Sequence, residues 1–139
     1  MTSPEPTAAR LAIRRVGRIV LPVRDQDAAI AFYVGTLGLE LRADVPYGPD
    51  GAFRWVEVGP AGGDATIALA PPQSPEFQPM TGGCVCLDSA DLASDHAALA
   101  AAGVDLDPIM DAALGAPAMA FLRDPDGNAL LLVEDPAAS

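Results

Sequence analysis

The sequence predicts an α+β fold: two βαβββ modules forming curved, mixed sheets around a groove, with the helices outside. Three observations predict it. Short β-rich runs and stretches of helical period follow one another in the same order twice. Landmark residues recur at a near-constant offset: Gly38 and Gly103 each close a helix and lie 65 positions apart, and Gly63-Asp64-Ala65 precedes Gly127-Asn128-Ala129 by 64. The stretch from Phe121 to Asp135, FLRDPDGNALLLVED, reads as strand, tight turn and strand. A half of this size cannot bury its own sheet face and helix well, so the two halves should pack into one domain.

The elements follow in order. Residues 1–14 read as a tail, with Pro4 and Pro6 blocking regular structure. Residues 15–72 form the first module. Arg15 to Val23 is β-rich through Val16, Ile19, Val20, Leu21 and Val23. Asp25 offers a helix N-cap, and Ala29, Phe32, Tyr33 and Leu37 follow at helical spacing, with Gly38 ending the helix. Leu39 to Val45 is a second strand, and Pro46 to Gly51 a turn-rich loop. Phe53 to Val58 is a third strand, with Phe53, Trp55 and Glu57 on one face. Ala65 to Ala70 is a fourth, stopped by Pro71 and Pro72.

Residues 73–83 read as a linker. Residues 84–135 form the second module: a strand from Cys84 to Asp88, a helix capped by Asp91 and closed by Gly103, a strand from Val104 to Met110, and an irregular loop to Pro117. A strand from Ala118 to Leu122 follows. In the turn Asp124-Pro125-Asp126-Gly127-Asn128, proline presets one backbone angle and glycine supplies a positive one. Ala129 to Val133 is an apolar run suited to a strand buried on both faces.

Composition narrows the partners. Half of the 139 residues are hydrophobic, so the chain is expected to be globular. A net charge of −11 repels phosphate backbones and anionic lipid, which argues against nucleic acid and membrane surfaces as partners. No apolar run approaches the roughly 20 residues that span a bilayer, and the N-terminus lacks a basic-then-apolar signal pattern. Cys84 and Cys86 would point to the same face of a strand, where a bridge between them would be strained. A reducing bacterial cytoplasm is the expected compartment. The pair could serve redox or soft-metal chemistry, but the expectation is two small buried apolar side chains.

RIVLPVRDQDAAIAFYVGTLGLEL at 18–41, DHAALAAAGVDL at 95–106 and FLRDPDGNALLLVE at 121–134 together resemble the vicinal oxygen chelate superfamily, which includes glyoxalase I, extradiol dioxygenases, fosfomycin-resistance enzymes and bleomycin-resistance proteins. The aspartate, the FY pair, the LG helix end and the DPDGN turn carry the likeness, which covers most of the chain after the tail. The resemblance implies the fold but little about the chemistry. Metal-using members place four ligands on the groove. Carried over, these fall on Arg18, on Thr66 or Ile67, on Cys84 and on Leu131. Arginine is a cation and leucine has no donor, so no metal and no other cofactor is expected in the usual place.

The remaining candidates are few. Arg18, among apolar neighbours, should either anchor an anionic or carbonyl ligand or form an ion pair, with Glu57 or another groove carboxylate as its partner. Phe53, Trp55, Tyr47 and Phe121, with Met80 and Met119, could line an apolar pocket, and Tyr47 could act as a lid from its loop. His96, the only histidine, is expected to be structural, and Asp124, Asp126 and Asn128 to form a plain turn rather than a calcium loop. The expected function is metal-free binding of a small molecule, through Arg18, Phe53, Trp55, Cys84, Phe121 and Tyr47. The resemblance to the bleomycin-resistance branch implies a homodimer. The alternative is a glyoxalase- or dioxygenase-type enzyme, a lyase or oxidoreductase, with a divalent metal on atypical ligands or with Glu57 as base.

Overall fold

A computed structural model describes residues 11–71 and 76–135. The expected features at Pro4, Pro6 and the start of the linker therefore lie outside the described residues. The first module contains β1 (Arg18–Pro22), α1 (Gln26–Ile30), β2 (Glu40–Tyr47), β3 (Phe53–Gly59) and β4 (Thr66–Ala70). The second contains β5 (Val85–Ser89), α2 (Leu92–Ala101), β6 (Asp105–Leu106), β7 (Met119–Arg123) and β8 (Ala129–Glu134). Each module makes one four-stranded mixed sheet, ordered β1-β4-β3-β2 and β5-β8-β7-β6. The outer pairs β1–β4 and β5–β8 are parallel and the rest antiparallel. This is the expected pair of βαβββ modules, and the sheets do not close into a barrel.

Local chemistry sets the boundaries. The Asp25 carboxylate accepts the Ala28 N–H at 3.1 Å and the Asp91 carboxylate accepts the Ser94 N–H at 3.1 Å, so both helices start on an aspartate cap. Gly38 and Gly103, at φ +77° and +80°, close the two helices. After Ile30 the first helix widens into a π-turn over Ala31–Thr36, where the Leu37 N–H reaches back to the Phe32 carbonyl.

Three segments differ from the reading of the sequence. The first strand begins at Arg18 rather than Arg15, because Gly17 interrupts the β-rich run. The strand expected over Val104 to Met110 pairs only at Asp105–Leu106, with a single bridge from Met110 to Met119. β2 continues through Pro46 to Tyr47, which was expected in a loop. Pro46 is tolerated because β2 is an edge strand with no neighbour on its outer side.

Alternation gives each sheet one buried face. Leu21, Val56, Val58, Ile67 and Leu69 from the first sheet meet Val85, Leu122, Leu130 and Leu132 from the second. Ala29, Phe32, Tyr33, Leu92 and Leu99 from the helices complete a single core shared by both modules. Fully burying one such leucine or valine contributes about 1.5–3 kcal/mol, so sharing this core ties the halves together.

A buried polar network adds to that tie. The Tyr33 hydroxyl donates to Asp124 Oδ2 at 2.7 Å, from the first module to the turn of the second. Asp124 also accepts the backbone N–H groups of Asp126 and Asn128 and the Asn128 side-chain amide, each at 2.9 Å. That amide also donates to the Pro22 carbonyl at 2.8 Å, and its oxygen accepts the Met80 N–H at 2.7 Å. The turn is thus a hub rather than a plain reversal, and its carboxylate is filled by donors from within the chain. Burial, and then the Asp124 charge, push the Tyr33 hydroxyl far above the ordinary tyrosine range.

Candidate functional site

The face of the first sheet opposite the core is open. Cross-strand registry assembles it: Tyr47 pairs with Phe53, Val45 with Trp55, Ala43 with Glu57, and Arg18 with Thr66. Val45, Tyr47 and Phe53 are exposed, as is Val20 on β1. The Tyr47 ring centroid lies 5.4 Å from Phe53 and 5.8 Å from Trp55, the latter edge-to-face. Three aromatic rings therefore form a continuous apolar shelf at one end of the face.

Glu57 adjoins the shelf at Trp55. One carboxylate oxygen accepts the Thr66 hydroxyl, and the other accepts the Trp55 indole N–H at 2.6 Å. Arg18 Nε lies 3.4 Å from that second oxygen. The Thr66 bond, then the Trp55 bond and the Arg18 charge, hold the Glu57 carboxyl below the ordinary glutamate range against the opposing effect of burial. Half of the Arg18 side chain is exposed, so part of its guanidinium is open to a ligand on the face that carries the aromatic shelf. Arg18 is therefore both ion-paired and available.

The other expected site residues fall elsewhere. Phe121, on β7, pairs with Leu131 in the second sheet and shares no ring contact with the shelf. Cys84 and Cys86 are exposed free thiols, not the buried apolar pair expected: Cys84 lies just before β5, and alternation puts Val85 on the core face and Cys86 on the opposite one, at the edge of the sheet. Burial, Asp88 and Cys84 together push the Cys86 thiol up. Cys84 lines a hollow of about 440 Å³ with Thr66 and Ile19. Met80 packs against the shared core rather than a groove. His96 Nε2 donates to the Asp107 carbonyl at 2.8 Å, a structural bond between α2 and the segment after β6.

The four positions where metal-using relatives place ligands do not fit a metal here. Ile67 is buried in the core, so the second position falls on Thr66, whose hydroxyl is held by Glu57. The set is then a guanidinium, a bound hydroxyl, a thiol and the alkyl chain of Leu131. Among the described residues, no group of three His, Cys, Asp or Glu side chains is arranged to hold a metal ion. No helix of the described residues is long and apolar enough to cross a membrane.

Sequence reasoning singled out Arg18, Trp55 and Glu57 and named Glu57 as a partner for Arg18, which the structure shows, but missed the bonds that Trp55 and Thr66 donate to Glu57. The signal for the first was period-two alternation: Trp55 and Glu57 share a face, and an indole N–H two residues from a carboxylate on one face is within reach. Thr66 entered only as a possible metal position, and its role depends on strand registry.

A family model described as Glyoxalase/Bleomycin resistance protein/Dioxygenase superfamily matches residues 15–132. Among solved structures, the antibiotic binding protein TnmS3 from Streptomyces sp. CB03234 is 35% identical with a TM-score of 0.75, over 90% of this chain and 98% of that one. A member of the same superfamily from Sphaerobacter thermophilus DSM 20745 is 32% identical with a TM-score of 0.78, over 90% of this chain and all of that one. The uncharacterized protein YetH of Bacillus subtilis (strain 168) is 25% identical over 128 residues, 88% of this chain and 99% of YetH.

Proposed function

The chain belongs to the glyoxalase/bleomycin resistance protein/dioxygenase superfamily, and from that premise we propose that it is a metal-free binding protein for a planar, aromatic small molecule bearing an anionic or carbonyl group. One observation carries the reading: a half-exposed arginine fork stands beside a shelf of three aromatic rings. The shelf offers stacking surface, and the ion pair with Glu57 holds the half-exposed Arg18 guanidinium on the same face, where it can meet an anionic or carbonyl group. The likeness to an antibiotic binding protein supports a small-molecule ligand.

The enzyme alternative finds less support. A general base for neutral pH needs a raised carboxyl pKa and a free lone pair, whereas Glu57 has a lowered one and both oxygens engaged. A divalent metal would need donors that Arg18 and Leu131 lack.

The reading includes a homodimer. Among the described residues, seven of the eleven exposed large apolar side chains lie on the open sheet face (Val20, Val45, Tyr47 and Phe53) or in the segment leading into it (Leu11, Ile13 and Val16). A second copy covering that face would remove them from water. It would also bring Phe121 and Cys84 from its own second sheet toward the shelf. Unbridged, exposed Cys84 and Cys86 favour a reducing compartment, as in the cytoplasm.

The test is titration of Trp55 fluorescence with a panel of planar carboxylate, phenolate and quinone-type compounds. A saturable change that Arg18→Met weakens at least tenfold, with Trp55→Ala also losing affinity by calorimetry, supports the proposal. Indifference to the whole panel, or unchanged affinity in Arg18→Met by calorimetry, defeats it. Elemental analysis of protein purified without chelators should find only traces of zinc, nickel, iron or manganese.

A further inference from the structure

We infer that Cys84 and Cys86 form a two-coordinate site for a soft monovalent metal ion, Cu(I), at the edge of the second sheet, in a hollow that it shares with β1 and β4 of the first. Burial alternates strictly along the strand: Cys84, Cys86 and Asp88 are exposed, while Val85 and Ser89 between and beyond them are buried. The two thiols therefore share one face, and both line the same hollow of about 440 Å³. Both are free.

Spacing decides what such a pair can hold. Cys84 immediately precedes β5 and Cys86 lies within it, and residues two apart in extended chain are separated by at most about 7 Å. A disulfide requires β-carbons about 3.8 Å apart and sulfurs in bonding contact, which a flat strand does not permit without distortion. Two metal–sulfur bonds of about 2.3 Å, laid end to end, place the sulfurs about 4.6 Å apart. Sulfurs leaning toward each other from parallel Cβ positions need to close the gap by only about 2 Å to reach it. The pair is thus too wide for a disulfide and suited to one bridging ion.

Ligand type decides which ion. Thiolates select soft ions, Cu(I) among them. Zinc in a structural site asks for four donors, and no third His, Cys, Asp or Glu joins the pair as a metal set among the described residues. Asp64 lines the same hollow, so its charge attracts a cation without needing to coordinate it. On binding, each thiol that carries a proton releases it to the buffer and contributes a thiolate. No electron transfer is involved.

The test is anaerobic titration of the full reduced chain with Cu(I), buffered by a chromophoric chelator. One ion per chain is expected, with at least a hundredfold loss of affinity in Cys84→Ser and again in Cys86→Ser. Both positions are exposed, so both variants should fold, and far-ultraviolet circular dichroism with an unaltered thermal midpoint checks this. Cys84→Ala provides a second substitution at the first position. Two ions per chain, or single variants within threefold of wild type, would mean independent thiols and overturn the inference. A full intrachain disulfide after one equivalent of mild oxidant would overturn the spacing argument. A zinc affinity matching that for Cu(I) would overturn the two-coordinate assignment.

Discussion

Replacing Tyr33 by phenylalanine tests the bond that joins the two modules. Tyr33 is fully buried, and its hydroxyl donates to an aspartate carboxylate at 2.7 Å. Phenylalanine keeps the ring and its edge-to-face contact with Phe32 at 5.1 Å, so the change is confined to the hydroxyl. A hydrogen bond to a charged group contributes about 1.5–3 kcal/mol, and Asp124 retains three other donors, so the loss should fall in that range at pH 7. The same bond has a signature in alkali. The hydroxyl is held protonated in the folded chain well above its ordinary value of 10, whereas the unfolded chain ionises near that value. Its contribution is therefore complete below pH 10 and lost as pH rises beyond it. By linkage the loss reaches about 1.4 kcal/mol at pH 11. Urea unfolding of both proteins at pH 7 and pH 11 should show the gap between them narrowing by that amount. A gap below about 0.5 kcal/mol at pH 7, or one that does not narrow in alkali, would refute the account, since a charged-group bond of this kind contributes about 1.5 kcal/mol or more.

Other consequences are open to measurement. Glu57 has a lowered pKa in the folded chain, so its contribution is present above its ordinary value of 4.5 and disappears as pH falls below it. The stability advantage of wild type over Glu57→Gln should shrink in acid, and an advantage constant from pH 7 to pH 3 would contradict the Thr66–Glu57–Trp55 lock. Gly38→Ala and Gly48→Ala both place a side chain at positive φ, at a cost of about 1–2 kcal/mol. At Gly48 the new carbon would also lie 2.7 Å from Phe53 Cδ2, whereas Gly38 has open space. Gly48→Ala should therefore cost more in denaturant unfolding and should also weaken ligand binding by moving the Phe53 ring. Equal costs, or unimpaired binding, would remove Phe53 from the shelf. Sedimentation at rising protein concentration should show a dimer that Val45→Glu disrupts. A wild-type monomer at tens of micromolar would leave the open face uncovered.

Much of the fold was legible because its signals are local. The repeated glycines report helix ends that need positive φ, and Asp25 and Asp91 report N-caps, all of which depend on a few neighbouring residues. Alternation along β3 placed Phe53, Trp55 and Glu57 on one face before any partner strand was known. What was not legible depended on pairing at a distance. Tyr47 stands in the shelf only because edge strand β2 runs on through Pro46 to meet Phe53. Cys84 and Cys86 are exposed because they fall on the face away from the core and β5 lies at the edge of its sheet, and which face meets the core depends on packing between the modules. The Tyr33–Asp124 bond spans 91 positions, and although both residues belong to stretches that stood out, nothing local pairs them.

That bond also bears on the ancestry of the chain. The repeat offset of 65 carries Tyr33 onto Ala98, and the offset of 64 carries Asp124 back onto Pro60, so the reciprocal bond has no residues to form it. If the halves arose by copying one ancestral unit, they have since diverged into complementary parts, one carrying the donor and the other the acceptor. A chain assembled from two first halves would hold tyrosines with no aspartate to receive them. One assembled from two second halves would bury an aspartate with its best donor missing. Loss of either half can therefore no longer be repaired by duplicating the other, and the pair is inherited as a single unit.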